Sequence, residues 1–364
     1  MLYLLLIFSA VIILLCAFYL VKKFKRFSLI ERCNEKHRFL SWILAILPLL
    51  AICGFAFINV TTVFVVMLHL ALGFVLCDLV SFIIYKVSKR KISFNARGIA
   101  AVLITAAYLA VGWYSAHHIV KTEYTFYTDN PTVTGSLRIA LIADSHIGLT
   151  LDGEEFEKQL NRISKDNPDL LMIAGDFVDD DSSKADMIRA CNALGNLKTS
   201  YGVYFVYGNH DNGYMRYRDF TGQDLAYYLE KNNVNILKDS AASINGCFNI
   251  IGRLDRSYPS RKSADELMAQ YGDGSYTVML DHQPNDYAAE AQAGVDLVLS
   301  GHTYGGHIFP AGIIGLLFGA NDKVYGSETR ENTNFVVTSG ISGWAIPFKT
   351  AAKSEYVIID IKNK

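Results

Sequence analysis

Four stretches of about twenty apolar residues crowd into the first third of this chain, at roughly 2–21, 39–58, 60–85 and 98–117, and they limit what it can fold into more than any other feature. A helix needs about 20 residues to cross the hydrocarbon core of a bilayer. Residues 1–117 are therefore expected to form an all-α membrane region of four transmembrane helices. A cleaved signal peptide would explain only the first stretch. That stretch has no basic residue ahead of it and carries its charges behind it, the reverse of a signal peptide. His69 and Asp78 lie inside the third stretch and read as single polar groups facing a helix neighbour. Trp113 and Tyr114, near the end of the fourth, suit an interfacial belt.

Charge divides the chain at the same place. Residues 1–117 hold twelve Lys and Arg against three acids, a net +9, and residues 118–364 hold 22 basic and 32 acidic residues, a net −10. The basic residues gather in the loops around Lys22–Arg38 and Lys86–Arg97, while the turn around Asn59–Thr62 has none. Basic loops stay in the cytoplasm. The N-terminus is thus expected outside, and residues 118–364 on the extracytoplasmic side of a cell membrane crossed several times. An acidic domain is unsuited to gripping a phosphate backbone, so no nucleic-acid partner is expected. The sequence implies no protein partner. The six cysteines form no CxxC pair, and Cys191 and Cys247, alone in the acidic half, read as two free thiols rather than a disulfide.

From residue 137 the pattern changes to short β-rich runs: Leu137–Ala143, Leu170–Ala174, Val203–Tyr207, Phe248–Ile251, Thr277–Leu280, Val295–Leu299, Phe335–Thr338 and Tyr356–Ile361. Several are continuously apolar, as strands covered on both faces are. Phe156, Leu160 and Ile163 repeat at helical spacing between the first two. An α/β domain with mixed sheets is expected over 118–364.

The residues just beyond these runs carry the chemistry. Leu137–Ala143 leads into Asp144-Ser145-His146, Leu170–Ala174 into Gly175-Asp176, and Val203–Tyr207 into Gly208-Asn209-His210-Asp211. Thr277–Leu280 leads into Asp281-His282, and Val295–Leu299 into Ser300-Gly301-His302. Sites in α/β sheets form beyond the carboxyl ends of strands. Carboxylates, imidazoles and an amide gathered there suit a pair of Mn, Fe or Zn ions. Such a pair supplies a bridging hydroxide and neutralises a phosphoryl group. Asp176 fits the bridging ligand, because Gly175 lets the backbone turn tightly beneath the ion.

Taken in this order, the motifs resemble the calcineurin-like metallophosphoesterase superfamily, in particular the bacterial membrane-associated branch whose last motif reads GHTHGGQ. The tail, from Thr338-Ser339-Gly340-Ile341 through Ile346-Pro347-Phe348 to Tyr356–Ile361, resembles that branch too, and the likeness covers roughly residues 120–362. The resemblance implies a four-layer α/β/β/α sandwich. It also implies two divalent or trivalent metal ions: Asp144 and His146 on the first, Asp176 bridging, and Asn209, His282 and His302 on the second. His210 would contact the phosphate and protonate the leaving oxygen, with Asp211 orienting its ring.

The last motif departs from the branch. It reads GHTYGGH over 301–307, with Tyr304 where the family has a second histidine and His307 where the branch has Gln. Three readings compete. Tyr304 or His307 replaces the missing ligand; the first metal is held weakly by three protein ligands and water; or the first site is empty. The first two are favoured together, since every other motif residue is intact. Arg253, Asp255 and Arg256, after another strand end, are candidates for substrate contact or simply a solvated loop. The apolar run Ile308–Phe318 reads equally as core or as an apolar lip admitting a lipid-linked phosphate. The expected function is hydrolysis of a phosphomono- or phosphodiester, with a lipid or envelope-derived substrate in view. The alternative is a membrane sensor or scaffold that binds a phosphorylated ligand without turnover.

Overall fold

The computed structural model describes residues 2–148, 150–214 and 218–364, with side chains from residue 11 onward. The chain forms two compact units, Met1–Val111 and Gly112–Lys364.

The first unit is helical: α1 (Leu2–Phe24), α2 (Ser28–Lys36), α3 (Arg38–Cys53), α4 (Val60–Ser88) and α5 (Phe94–His117), the last turns of α5 belonging to the second unit. Among the described residues, Arg38–Phe57, Val60–Ser88 and Phe94–His117 are long and apolar enough to cross a membrane. The first expected span, 2–21, is helical within α1, but part of it lies outside the residues whose side chains are described. Asn59 caps α4 by accepting the Thr62 N–H at 2.8 Å. Asp78 is not the isolated group the sequence suggests. It is bound by Lys23 of α1 and, at 3.0 Å, by Arg97 of α5, partners too distant in the chain to be read from it. His69 is satisfied within its own helix, its Nδ1 lying 2.7 Å from the Val65 carbonyl.

The second unit has strands β1 (Val120–Thr128), β2 (Ser136–Ile142), β3 (Leu170–Ala174), β4 (Val203–Val206), β5 (Val234–Leu237), β6 (Ser240–Ile244), β7 (Phe248–Gly252), β8 (Tyr276–Leu280), β9 (Leu297–Ser300), β10 (Gly326–Arg330), β11 (Thr333–Val337) and β12 (Glu355–Asn363). Its further helices are α6 (Gly153–Ser164), α7 (Lys184–Asn196), α8 (Gly222–Lys231), α9 (Ala264–Tyr271), α10 (Tyr287–Gln292) and α11 (Ala311–Leu317). Two six-stranded sheets result, ordered β1-β12-β2-β3-β4-β5 and β10-β11-β9-β8-β7-β6. Both are mixed: β12 runs antiparallel to β2, β10 to β11 and β6 to β7, and the other neighbours are parallel.

Alternation along each strand builds the layers. Ile139 and Leu141 of β2 enter a core shared with Val278 and Leu280 of β8 and Leu297 and Leu299 of β9, which glues sheet to sheet. Ala140 and Ile142 face the other way, onto Phe156, Leu160 and Ile163 of α6 and Leu194 of α7. On the far side, Met279, Val298 and Phe335 pack against Leu267 of α9 and Tyr287 of α10. The order helix, sheet, sheet, helix is the expected four-layer sandwich. The six cysteines are free.

Candidate metal centre

The parallel neighbours β2, β3 and β4 of one sheet, and β8 and β9 of the other, end at a common place. One donor atom from each of Asp144, His146 and Asp176 lies within 4.8 Å of the other two, and the same holds for Asp176, His282 and His302. Asp176 belongs to both groups. Packing here is backbone-tight: a Cβ on Gly208 would lie 2.1 Å from Asp176 Oδ1, so only glycine lets the loop after β4 pass that carboxylate. Asp144, His146, Asp176, His302, Tyr304 and His307 all take positive φ, between 36° and 71°. Such backbone costs on the order of 1–3 kcal/mol per residue and clusters at functional sites.

The donors converge as a cation requires. His282 Nδ1 lies 2.7 Å from the Ala174 carbonyl, so it carries the proton. Its Nε2 then faces Asn209 Oδ1 at 3.2 Å and Asp176 Oδ2 at 3.1 Å, three lone-pair atoms that repel unless a proton or metal lies among them. The surrounding charges favour a proton on these imidazoles when no cation is bound. Burial lowers the His146 pKa, but the Asp176 and Asp179 carboxylates outweigh it and raise the ring to about 10. Asp176 opposes its own burial through His282 and His146, and stays well below the usual carboxylate range. Burial, helped by Asp176, lifts Asp144 to about 6. Metal entry would displace these protons, so each group of residues fits a metal ion.

His302 donates its backbone N–H to Asp144 at 2.9 Å, and burial lowers its ring pKa to about 4, leaving a neutral imidazole. His210 is tied through its backbone N–H to Asp176 Oδ1 at 2.8 Å. Its ring stands 5.0 Å from each of the rings of His146, Tyr214 and Trp344. Asp211 does not orient that ring. Its carboxylate accepts the N–H groups of Gly208 (2.7 Å), Phe177 (2.8 Å), Asp176 (2.9 Å) and Val178 (3.1 Å), stapling the loop after β4 to the loop after β3.

The Tyr304 hydroxyl lies 2.6 Å from His146 Nε2, beside the Asp144–His146–Asp176 group. Burial and the carboxylates of Asp144, Asp176 and Asp179 hold the phenol well above its usual pKa. His307 is outside both groups; its ring is 5.1 Å from that of Tyr304, and its buried Nε2 has no hydrogen-bond partner among the described residues.

Arg253 and Asp255 are placed otherwise than as substrate contacts. The Arg253 guanidinium is buried and bound by Asp286 at 2.7 Å, Asp281 at 3.0 Å and the Lys262 carbonyl at 3.0 Å, leaving no free face. Asp255 accepts Gln283 Nε2 at 2.9 Å and the Ser257 N–H at 2.8 Å. Arg256 is exposed.

Three further residues matter that sequence reasoning passed over. Asp179 lies 3.1 Å from His146 Nδ1, so it fixes the ring with Nε2 toward Asp176. Its only sequence signal is its place three residues after Asp176. Lys349 is fully buried and donates to the carbonyls of Ser339 (2.5 Å), Ser342 (3.3 Å) and Gly340 (3.4 Å), clamping the turn beside Asp144, with its pKa lowered to about 7 by burial. A lone lysine after Ile346-Pro347-Phe348 was the available hint. Trp344, exposed beside His210, had none.

Residues 137–306 match the family described as Calcineurin-like phosphoesterase. An uncharacterized metallophosphoesterase of Helicobacter pylori is 28% identical over 284 residues, covering 76% of this chain and 73% of that protein. A Danio rerio transmembrane protein with metallophosphoesterase domain is 27% identical over 284 residues, 73% of this chain and 62% of that one, so the present chain spans about three fifths of its length. A solved structure, TT1561 of Thermus thermophilus, is similar over 57% of this chain and 89% of its own, at 11% identity and a TM-score of 0.38.

Proposed function

We propose that the chain, whose residues 137–306 match the calcineurin-like phosphoesterase family, hydrolyses phosphomono- or phosphodiesters with two metal ions while anchored in a cell membrane, on the extracytoplasmic side. The observation that carries this reading is the sharing of Asp176 between two ligand groups, one of Asp144 and His146, the other of His282 and His302. Asn209 Oδ1, beside His282 Nε2, completes the second group.

Bound ions of the Mn, Fe or Zn type would activate the attacking water and neutralise the phosphoryl oxygens. The chain does the rest. Asp179 and the Ala174 carbonyl hold the imidazoles of His146 and His282 in the orientation a ligand needs. Asp211 locks the two loops that present Asp176 and Asn209. His210, half-buried at the mouth between Tyr214 and Trp344, contacts the phosphate and passes a proton to the leaving oxygen.

The test is hydrolysis of p-nitrophenyl phosphate and bis(p-nitrophenyl) phosphate by the full chain with added Mn²⁺. Asp176→Asn should cut turnover by at least about 100-fold, since the two-metal arrangement loses its shared ligand. The closeness of Tyr304 to His146 supports a second reading, a sensor that binds a phosphorylated ligand through a degenerate first site. Absence of metal-dependent turnover on either ester, with retained phosphate binding, would favour it.

A further inference from the structure

The run after the GHTYGGH turn contains no charged or hydrogen-bonding side chain from residue 308 to residue 320. It forms neither a core strand nor a covered loop. It is the short helix α11 and its flanks, and no residue of α11 is buried. Phe309, Ile313, Ile314 and Leu316 are exposed, and Leu317 and Phe318 are 79% and 85% exposed. A contiguous apolar patch of this kind on a folded domain marks a surface that another apolar phase covers.

The way the patch is tied into the second unit says which phase. The segment 349–354 is bonded on one side to the last turns of α5: Lys349 N–H to the Gly112 carbonyl at 2.9 Å, and Ser354 N–H to the Ser115 carbonyl at 2.8 Å. On the other side it is bonded to the root of α11. Thr350 N–H donates to the His307 carbonyl at 2.8 Å, and Phe309 N–H donates to Thr350 Oγ1 at 3.0 Å. The apolar helix is therefore strapped, through adjoining residues, to the exit of a helix long and apolar enough to cross a membrane. Trp113 and Tyr114 at that exit are exposed, as interfacial aromatics are. The first turn of α11 also packs against the site turn, since a Cβ on Gly312 would lie 2.7 Å from Gly306 Cα, two residues beyond Tyr304.

We infer that α11 and its flanking phenylalanines dip into the surface of the bilayer that α5 crosses, and that the adjoining site takes phosphate esters carried on lipids. This rests on the proposed membrane anchoring and phosphoesterase activity. Apolar side chains anchored at an interface reach about 5–10 Å into the boundary between headgroups and acyl chains.

The test uses the full chain in vesicles of phosphatidylethanolamine and phosphatidylglycerol. Leu317→Cys carries an environment-sensitive fluorophore, in a background with the native cysteines changed to alanine. Insertion predicts blue-shifted emission, quenched by spin-labelled lipid and unchanged on dilution with excess lipid. Water-like emission from a chain that stays in the vesicles through an alkaline wash overturns the insertion and spares the anchoring; release of the chain overturns both. A blue shift lost on lipid dilution identifies a second copy as the occupant and overturns the proposal. In a second arm, with native cysteines present, the double variant Leu317→Asp/Phe318→Asp should keep its turnover of bis(p-nitrophenyl) phosphate and lose about tenfold on a lipid-anchored phosphate ester. Equal loss on both, or on neither, overturns the lipid substrate. If the wild type turns over neither ester, the phosphoesterase reading and the lipid substrate fail together, and the fluorophore still decides the insertion.

Discussion

His146 is gripped at both ends of its ring, by Asp179 at Nδ1 and by the Tyr304 hydroxyl at Nε2. The first grip turns the second nitrogen toward Asp176 as a ligand would need, and so gives Asp179 a testable role in the proposed site. Asp179→Asn should weaken binding of the first metal about 10–100-fold, the usual cost of losing such a carboxylate behind a ligating histidine. Isothermal titration with Mn²⁺ reads this as a loss at one of two sites. Tyr304 is the more telling position. Its phenol, held protonated by burial and by three carboxylates, must lose a proton to bind metal. Tyr304→His removes that requirement, so metal content at the first site should rise when the purified protein is analysed by mass spectrometry. Unchanged metal content and unchanged rate would remove residue 304 from the ligand set.

At the scale of elements, the sequence pattern marks the eight interior strands and passes over four, β1, β5, β6 and β10. Those four are the edges of the two sheets. An interior strand is covered on both faces and reads as an apolar run, whereas an edge strand such as Gly326–Arg330, GSETR, is half solvated and reads as loop. The largely buried charges behind β7 and β8 were equally illegible. Arg253 after β7, Asp281 after β8 and Asp286 and Glu290 around α10 meet only when the second sheet forms. They constitute a structural network, not a substrate clamp. Arg253→Met should therefore destabilise the fold by about 3–5 kcal/mol, because it removes the buried cation shared by Asp281, Asp286 and Glu290 and leaves Asp281 only Arg261. Chemical denaturation in detergent checks this. A variant that folds normally but binds substrate poorly would return Arg253 to the site.

For the whole molecule, the basic loops argue the topology. With Lys22–Arg38 and Lys86–Arg97 in the cytoplasm, protease added to intact cells should cleave after residue 118, and protection of that region would reverse the orientation. What the sequence by itself determined is local: which stretches are long and apolar enough to span, which runs are interior strands, and which residue types stand at each strand end. Length, periodicity and order are written in neighbouring residues. Only the tertiary structure decided which of those residues meet. It joined the ends of two sheets so that Asp176 belongs to two groups that could each hold a metal ion. It turned Asp211 from a presumed partner of His210 into a staple between loops, set Asp78 between Lys23 and Arg97, and left α11 exposed beside the exit of α5. Each of these depends on contacts between distant parts of the chain, which come into being only when burial of the two cores fixes the register of the sheets.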